Sequence, residues 1–429
     1  MISIYVDKKL ATYTLGCKVN TYDTEAIVKL FSERGYDTVS FDDFADVYLI
    51  NTCTVTKLSD KKSRQVIRRC KKINPKSVVA VMGCYAQVAA LEVKEIEGVD
   101  IVLGTKDRSG IVDTVENFEP GSKALSFVSD LTPDESFEDF SVQSFDNKTR
   151  AFLKVQDGCD RFCTYCIIPY ARGRVRSRQP NLVIDEAVHL AKNDFKEIVL
   201  AGIHVASYGK DLSNVDLLRL IEQIHEVRGI ERIRLSSIDP TAVDNRFVNT
   251  LKNLPKVCDH FHLSLQSGCD KTLKAMGRRY NTDQYFEAVL RLREIFENVA
   301  FTTDVISGFP GETNEDFLES YKFIEKVGFN RIHSFPYSVR NGTKAAEFDN
   351  QVTKSVKEER SRKVSDLSDA LAARFRDKFV GKTMDVLYES LENTKNIDGD
   401  TYVGYTTNYI KVVTASHEDL VNTIKPTVL

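Results

Sequence analysis

The order of segments along the chain predicts an α/β protein in three parts: an N-terminal parallel α/β domain, a central partial (β/α)6 barrel and a small C-terminal β-barrel. Apolar runs of strand length alternate with amphipathic stretches as far as residue 125, and a second alternation supplies six strand and helix pairs further on. The end of the chain is rich in strand-forming residues. The expected divisions are 1–125, an acidic connection over 126–147, the barrel over 148–376 and the tail over 377–429.

A chain of 429 residues with 42% hydrophobic content is ample for two or three buried cores. No apolar run approaches the roughly 20 residues that a membrane helix needs, and Met1-Ile2-Ser3-Ile4-Tyr5-Val6-Asp7 lacks the apolar core of a signal peptide. No membrane partner and a cytoplasmic location are therefore expected. In a reducing compartment nine cysteines are better read as metal ligands or reactive thiols than as disulfide partners. The formal charge of -3 leaves nucleic-acid binding open, because a basic face can sit on a nearly neutral protein.

In the first part, strands are expected at Thr12 to Leu15, Val47 to Ile50 and Val78 to Met82, with helices at Tyr22 to Arg34 and Ser59 to Lys72. Each strand is followed within one to three residues by a cysteine: Cys17, Cys53 and Cys84. Ligands of open parallel sheets bind outside the carboxyl ends of the strands, so these thiols are placed to converge on a metal site. Cys70, Cys258 and Cys269 lack this placement and read as structural thiols. The second helix is strongly basic: Lys57, Lys61, Lys62, Arg64, Arg68, Arg69, Lys71, Lys72 and Lys76 stand against a single acid, Asp60. It is either a solvated face or a surface that follows a phosphate backbone.

The connection carries Asp130, Asp134, Glu135, Glu138, Asp139 and Asp146 around Pro133. Barrel strands are then expected near Ala151 to Gln156, Glu197 to Gly202, Arg232 to Ser236, His260 to Leu265, Ala300 to Ile306 and Arg331 to Phe335, with helices such as Asp216 to Val227 and Asp283 to Phe296. Six units are too few for a closed eight-stranded barrel but enough for an open crescent, whose working face lies at the carboxyl ends of its strands.

The first barrel strand leads into Gly158-Cys159-Asp160-Arg161-Phe162-Cys163-Thr164-Tyr165-Cys166. Three thiolates at this spacing can hold three corners of an iron-sulfur cube and leave one iron open, whereas a structural zinc site normally takes four protein ligands. A zinc knuckle would need a distant fourth ligand, since Ile167-Ile168-Pro169-Tyr170 offers no His or Cys.

The Cys159, Cys163, Cys166 spacing resembles that of the radical S-adenosylmethionine (SAM) superfamily, in which the open iron of a 4Fe-4S cluster chelates SAM and an electron splits it to a 5'-deoxyadenosyl radical. The runs Thr14-Leu15-Gly16-Cys17-Lys18-Val19-Asn20, Asn51-Thr52-Cys53-Thr54-Val55 and Gly83-Cys84-Tyr85-Ala86-Gln87 are similar to the N-terminal domain of one branch, the methylthiotransferases. There three such cysteines bind an auxiliary 4Fe-4S cluster.

The resemblance covers most of the chain and implies two 4Fe-4S clusters, SAM as both methyl donor and radical source, and an electron donor of reductase, flavodoxin or ferredoxin type; the sulfur donor stays open. Candidate SAM contacts at the strand ends are Ser237, Gln266 and Gly308. Where the family has a Gly-Gly-Glu-like turn, this chain has Ala201-Gly202-Ile203-His204, so that contact is not carried over. His204 reads as a hydrogen-bonded structural residue or an acid-base group. Arg172, Arg174, Arg176 and Arg178 alternate, and an extended segment would aim them to one side, for phosphate or carboxylate recognition or for surface salt bridges.

A helix from Ser355 to Phe375 precedes the tail, which resembles the TRAM domain of the same family, a small barrel that grips substrate. Tyr402, Tyr405 and Tyr409 there could stack on bases or pack within strands. From Val380 onward Lys382, Lys395, Lys411 and Lys425 are outnumbered by Asp385, Glu389, Glu392, Asp398, Asp400, Glu418 and Asp419, the wrong balance for a phosphate clamp.

The activity implied is methylthiolation of carbon 2 of N6-threonylcarbamoyladenosine beside the anticodon, with the tRNA anticodon stem-loop as partner. Carbon 2 of adenine carries no acidic proton, which is why acid-base chemistry alone does not suffice. Rival readings are the isopentenyladenosine tRNA branch, the ribosomal-protein aspartate branch, and a non-catalytic RNA-binding protein with structural zinc sites.

Overall fold

In the computed structural model, which describes residues 8–140, 149–396 and 399–429, strand β1 (Lys8–Thr14) turns through Cys17 into helix α1 (Lys18–Ser32). Met1 to Asp7, Asp146 of the acidic connection and Asp398 of the tail lie outside the described residues. The alternation continues through β2 (Tyr36–Val39), β3 (Val47–Thr52), α2 (Lys57–Ile73), β4 (Val78–Gly83), α3 (Cys84–Val88), α4 (Ala90–Lys94), β5 (Ile101–Leu103), α5 (Ile111–Glu116) and β6 (Leu125–Phe127). These strands form one parallel sheet in the order β2-β1-β3-β4-β5-β6.

Every residue of β3 and β4 is buried, as expected of strands covered on both faces. On one face Leu10, Leu49 and Met82 pack against Ile27 and Phe31 of α1 and Ile111 of α5. On the other, Tyr48, Ile50 and Val81 meet Ile67 and Cys70 of α2 and Val93 of α4, so Cys70 is a core thiol. Helix α2 buries only Asp60, Ser63, Ile67 and Cys70, a narrow stripe that leaves the rest of its circumference for charge.

By its internal contacts the chain divides into two units, and the first also takes in residues 156–178 and 338–343. After β6 the chain gives β7 (Arg150–Lys154) to the second unit, then adds β8 (Gln156–Asp157), α6 (Ile168–Arg172) and β9 (Arg176–Ser177) to the first, with β8 and β9 antiparallel. The described part of the acidic connection, residues 126–140, belongs to this first unit. Lys106 meets Glu135 at 2.7 Å, Arg108 meets Glu138 at 2.8 Å, and Arg178 pairs with Asp139. Its carboxylates neutralise arginines that are almost fully buried, although residues 128–140 form no helix or strand.

The second unit is built on parallel strands β7, β10 (Glu197–Ala201), β11 (Arg232–Leu235), β12 (His260–His262), β13 (Ala300–Ser307) and β14 (Arg331–Pro336). Two three-stranded sheets are linked by parallel bridges from Ile233 to Val257 and from Ile238 to Leu263, which completes the expected six-stranded succession. The accompanying helices are α7 (Pro180–Lys192), α8 (Leu217–His225), α9 (Asn245–Leu251), α10 (Asp270–Ala275), α11 (Thr282–Ile295), α12 (Asn314–Val327) and α13 (Lys354–Asp377). Asp216, Asn281 and Thr313 cap α8, α11 and α12 through their side chains. Among the described residues no helix is long and apolar enough to cross a membrane.

The tail forms β15 (Thr383–Asn396), β16 (Gly399–Thr406), β17 (Lys411–Ser416) and β18 (Ile424–Val428), an antiparallel sheet ordered β17-β16-β15-β18. It curls into half of a barrel around Val386, Tyr388, Tyr402 and Ile410. Arginines of the barrel strands hold it: Arg232 donates to the Tyr405 carbonyl at 2.9 Å and Arg234 to the Thr407 carbonyl at 2.9 Å. Arg150, the first residue of β7, donates to the Tyr409 hydroxyl at 3.0 Å.

Of the two roles left open for the tail tyrosines, this attachment favours packing. Tyr402 is buried in the sheet's own core, and Tyr409 lies under Arg234 at 4.6 Å and against the ring of Tyr405 at 5.0 Å. Their faces are occupied by packing.

Candidate active site

Cys17, Cys53 and Cys84 follow β1, β3 and β4, three adjacent strands, and the sheet order reverses between β1 and β3. Strand order 2-1-3-4-5 places its ligand crevice at that reversal, because the flanking connections leave to opposite faces and part there. Side-chain amides tie the three turns together. Asn20 donates to the carbonyls of Leu15 at 2.7 Å and Thr52 at 3.1 Å, Asn51 donates to the Asn20 carbonyl at 2.9 Å, and the Thr52 hydroxyl donates to Met82 at 2.6 Å.

Cys53 and Cys84 are buried, and Cys17 is exposed. Burial pushes the Cys53 thiol up to about 12, with Cys84 and Cys17 adding to the effect. A Cβ on Gly16 would stand 3.1 Å from the Cys53 sulfur, which places the Cys17 turn directly against Cys53.

The second triad lies in the same unit. Gly158 adopts a φ of +71°, and a Cβ there would stand 1.8 Å from the Arg174 carbonyl, so this turn admits only glycine. The Cys159 amide donates to the Gly173 carbonyl at 3.0 Å and the Cys166 amide to Cys163 at 2.9 Å, which folds the loop on itself. Burial raises the Cys159 thiol, and Cys163 adds to it. Phe162, between Cys159 and Cys163, is partly exposed at a φ of +47° and packs edge-on against the exposed Tyr170.

Arg172 joins the two triads. Its Nε donates to the Cys84 sulfur at 3.3 Å and its Nη1 to Asp157 at 2.9 Å, while Nη2 reaches Asn20 and, at 3.2 Å, Asp23. Asp157 in turn accepts the Gly158 amide at 2.8 Å, one residue before Cys159. Burial works against the charge of Arg172, but Asp157, Cys84 and Asp23 outweigh it and hold the guanidinium well above its ordinary value. Asp23 also meets Arg108 at 2.8 Å, which makes a buried network of alternating charges.

The four alternating arginines therefore do not share a surface. Arg172, Arg176 and Arg178 are buried in ion pairs, and only Arg174 is exposed, beside Asp160 at 3.4 Å. The segment is not one extended strand: Arg172 ends α6, and β9 begins at Arg176.

In the second unit the candidate SAM contacts stand at the carboxyl ends of the barrel strands. Gln266 is half-buried with a φ of +68°, its amide bonded to Asp304 at 2.9 Å. Gly308 has a φ of +73°, donates its amide to Glu312 at 2.9 Å, and leaves no room for a Cβ, which would lie 2.4 Å from Lys357. Ser237 is exposed, one residue beyond Ser236, which lies two residues past the inward-facing Arg234. The Ser236 and Ser307 hydroxyls are buried without a hydrogen-bond partner, at the ends of β11 and β13. The sequence pointed to Ser237, and burial favours its neighbour Ser236 instead. His204 Nδ1 lies 2.7 Å from the Ser207 hydroxyl and its Nε2 is 3.5 Å from Asp239, a fixed polar residue on the turn after β10. Cys258 and Cys269 are buried, consistent with structural thiols.

The donor sets suit iron-sulfur corners. A single ion needs all its ligands within about 2.3 Å of one point, and among the described residues no three His, Cys, Asp or Glu side chains are gathered to hold one. A cubane instead lets each thiolate reach a different iron, a wider spacing that separate turns can supply.

Residues 153–324 match the radical SAM superfamily, and residues 9–104 match the family described as Uncharacterized protein family UPF0004. Threonylcarbamoyladenosine tRNA methylthiotransferase MtaB of Bacillus subtilis is 42% identical, over 97% of this chain and 92% of that protein. The chain belongs to the MtaB-type radical SAM methylthiotransferases. An Aquifex aeolicus MtaB is 38% identical over 88% of this methylthiotransferase and 92% of its own length. A tRNA-2-methylthio-N(6)-dimethylallyladenosine synthase of Hydrogenobaculum sp. is 31% identical over 95% and 93% of the two chains. Among solved structures, a radical SAM methyltransferase, TsrM of Kitasatospora setae, superposes with a TM-score of 0.57 at 14% identity over 79% and 77% of the chains, a likeness of fold.

Proposed function

We propose that this methylthiotransferase adds a methylthio group to carbon 2 of N6-threonylcarbamoyladenosine next to the tRNA anticodon, in the cytoplasm, using two 4Fe-4S clusters and SAM. The observation that carries the reading is the meeting of both cysteine triads in one compact unit, bridged by Arg172. Cys17, Cys53 and Cys84 would hold the auxiliary cluster, and Cys159, Cys163 and Cys166 the cluster that binds SAM. When bound, these groups supply a methylated sulfur and a radical able to take hydrogen from carbon 2, a position without an acidic proton.

The chain's own residues then have positioning tasks. Asn20, Asn51 and Thr52 hold the three auxiliary turns, and Asp157 holds the start of the SAM-cluster loop. Ser236, Gln266 and Gly308 are the barrel-end groups assigned to SAM, with the buried Ser236 replacing the exposed Ser237. Substrate phosphates are assigned to α2. Lys57, Lys61, Lys62, Arg68, Lys72 and Lys76 are exposed there without an acidic partner among the described residues, and Val55 and Leu58 beside Cys53 expose 53% and 74% of their surface. Cations neutralise backbone charge without reading sequence, while an apolar rim suits an unstacked base. An electron donor of flavodoxin or ferredoxin type and a sulfur donor complete the system.

Mass spectrometry of tRNA nucleosides from a deletion strain tests the substrate. Loss of 2-methylthio-N6-threonylcarbamoyladenosine is expected. Unchanged levels would overturn the assignment, and loss of the isopentenyl nucleoside would transfer it to the branch named by the Hydrogenobaculum relative. Iron and sulfide analysis after anaerobic purification separates the reading from a zinc-only RNA-binding protein, which would contain neither.

A further inference from the structure

Arg172 is fully buried and directs one N–H at a sulfur assigned to a cluster, an arrangement with more specificity than charge neutralisation requires. Its two Nη groups already satisfy Asp157, Asp23 and Asn20, and those carboxylates balance its charge. The remaining Nε–H points at Cys84 at 3.3 Å. A guanidinium does not deprotonate in a protein, so this donor is permanent. Hydrogen bonds to ligating sulfurs stabilise the more electron-rich state of an iron-sulfur cluster and raise its reduction potential.

We propose that Arg172 sets the reduction potential of the auxiliary cluster through its hydrogen bond to Cys84, keeping that cluster easier to reduce than an otherwise identical one without the donor. The inference rests on the assignment of Cys17, Cys53 and Cys84 to a 4Fe-4S cluster. Three features support it: the donor is held on both sides by buried acceptors, Asn20 lies in the first turn of α1, which Cys17 precedes, and Arg172 ends α6, the helix that follows the loop of the other triad. The same side chain that fixes the distance between the two loops therefore also governs the electronics of one of them.

The test uses the full chain with Cys159, Cys163 and Cys166 replaced by Ala, so that only the auxiliary cluster remains. Redox titration followed by electron paramagnetic resonance compares Arg172, Arg172→Lys and Arg172→Gln in that background. The Gln variant is expected to show at least a tenfold lower ratio of reduced to oxidised cluster at a fixed ambient potential, which is about 59 mV for a one-electron couple. Lys, which keeps the charge but not the fork geometry, should fall between the two. An unchanged midpoint in a folded, cluster-loaded Gln variant would make Arg172 a structural brace only. Where the Gln variant does not fold, protein with intact Arg172 and 15N-labelled arginine carries the test. Pulsed resonance of its reduced cluster should reveal a 15N coupling, and its absence overturns the proposal. A parent protein that binds no iron at these cysteines defeats the cluster assignment itself, a result distinct from either.

Discussion

Asp60, the single acid on helix α2, is bound by Arg340 at 2.6 Å, and the same guanidinium reaches Thr54, next to Cys53. Two consequences follow from this one pair. Segment 338–343 braces the second auxiliary turn, and the acid that could have broken the positive face of α2 is turned inward and buried. The exposed side of the helix is left cationic.

Replacing Lys57, Lys61, Arg68 and Lys72 together with Ala is expected to weaken binding of the anticodon stem-loop and to flatten its salt dependence by about 3 units of log-log slope, roughly 0.7–0.9 per cation. Fluorescence anisotropy across a salt series measures both. Unaltered affinity combined with slower reduction by an acidic flavoprotein would reassign the face to the electron donor.

The two cysteine sets should divide their labour. Cys163→Ala is expected to abolish formation of 5'-deoxyadenosine, whereas Cys17→Ala should retain it and lose methylthiolated product. Chromatography of the cleavage product and of digested RNA reads the two separately, and equal loss of cleavage in two folded variants would refute separate roles.

Gly83 tests the backbone. At a φ of 99° and a ψ of -164°, with a Cβ falling 2.4 Å from Asn51 Oδ1 and 2.5 Å from the Thr52 carbonyl, it occupies a conformation open essentially to glycine alone. Gly83→Ala should cost at least about 1–3 kcal/mol and displace Cys84. A lowered Tm together with loss of the auxiliary cluster's iron, while the SAM-cluster iron is retained, is the expected pattern.

Glu197 and Arg234, paired at 2.6 Å, are both buried where the tail is fastened. Glu197→Ala leaves a buried cation uncompensated and is expected to destabilise the second unit by about 3–5 kcal/mol. Burial acts to raise the Glu197 carboxyl, but Arg234, Arg150 and Arg232 prevail and hold it below the ordinary range. Its contribution is then complete above the unfolded value of about 4.3 and is lost as pH falls through the lower folded value. Denaturant melts between pH 3 and 6 should show a smaller acid-dependent loss for Glu197→Gln than for the parent.

How much of this was readable in advance varies with the range of the interaction. The expected strand Val78 to Met82 appears as Val78–Gly83, and the helix placed at Asp283 to Phe296 appears as Thr282–Ile295, because apolar period and polar caps are local properties. The placement of Cys17, Cys53 and Cys84 after three adjacent parallel strands was legible too, since parallel strands with short connections must present their carboxyl ends on one side.

The alternating arginines mark the limit. Their spacing was visible, but whether Arg172 met solvent or Cys84 depended on an α6 turn and on Asp23, 149 residues earlier in the chain. Stacking and packing were both open for Tyr409 from its sequence, and Arg150 and Arg234 against its ring favour packing. The sequence by itself determined most of the elements, the cysteine spacing and the end of the sheet that carries Cys17, Cys53 and Cys84. Only the tertiary structure decided which charges are buried, what they grip and which serine faces inward, because the partner of an ion pair is set by long-range chain crossings that leave no local period to read.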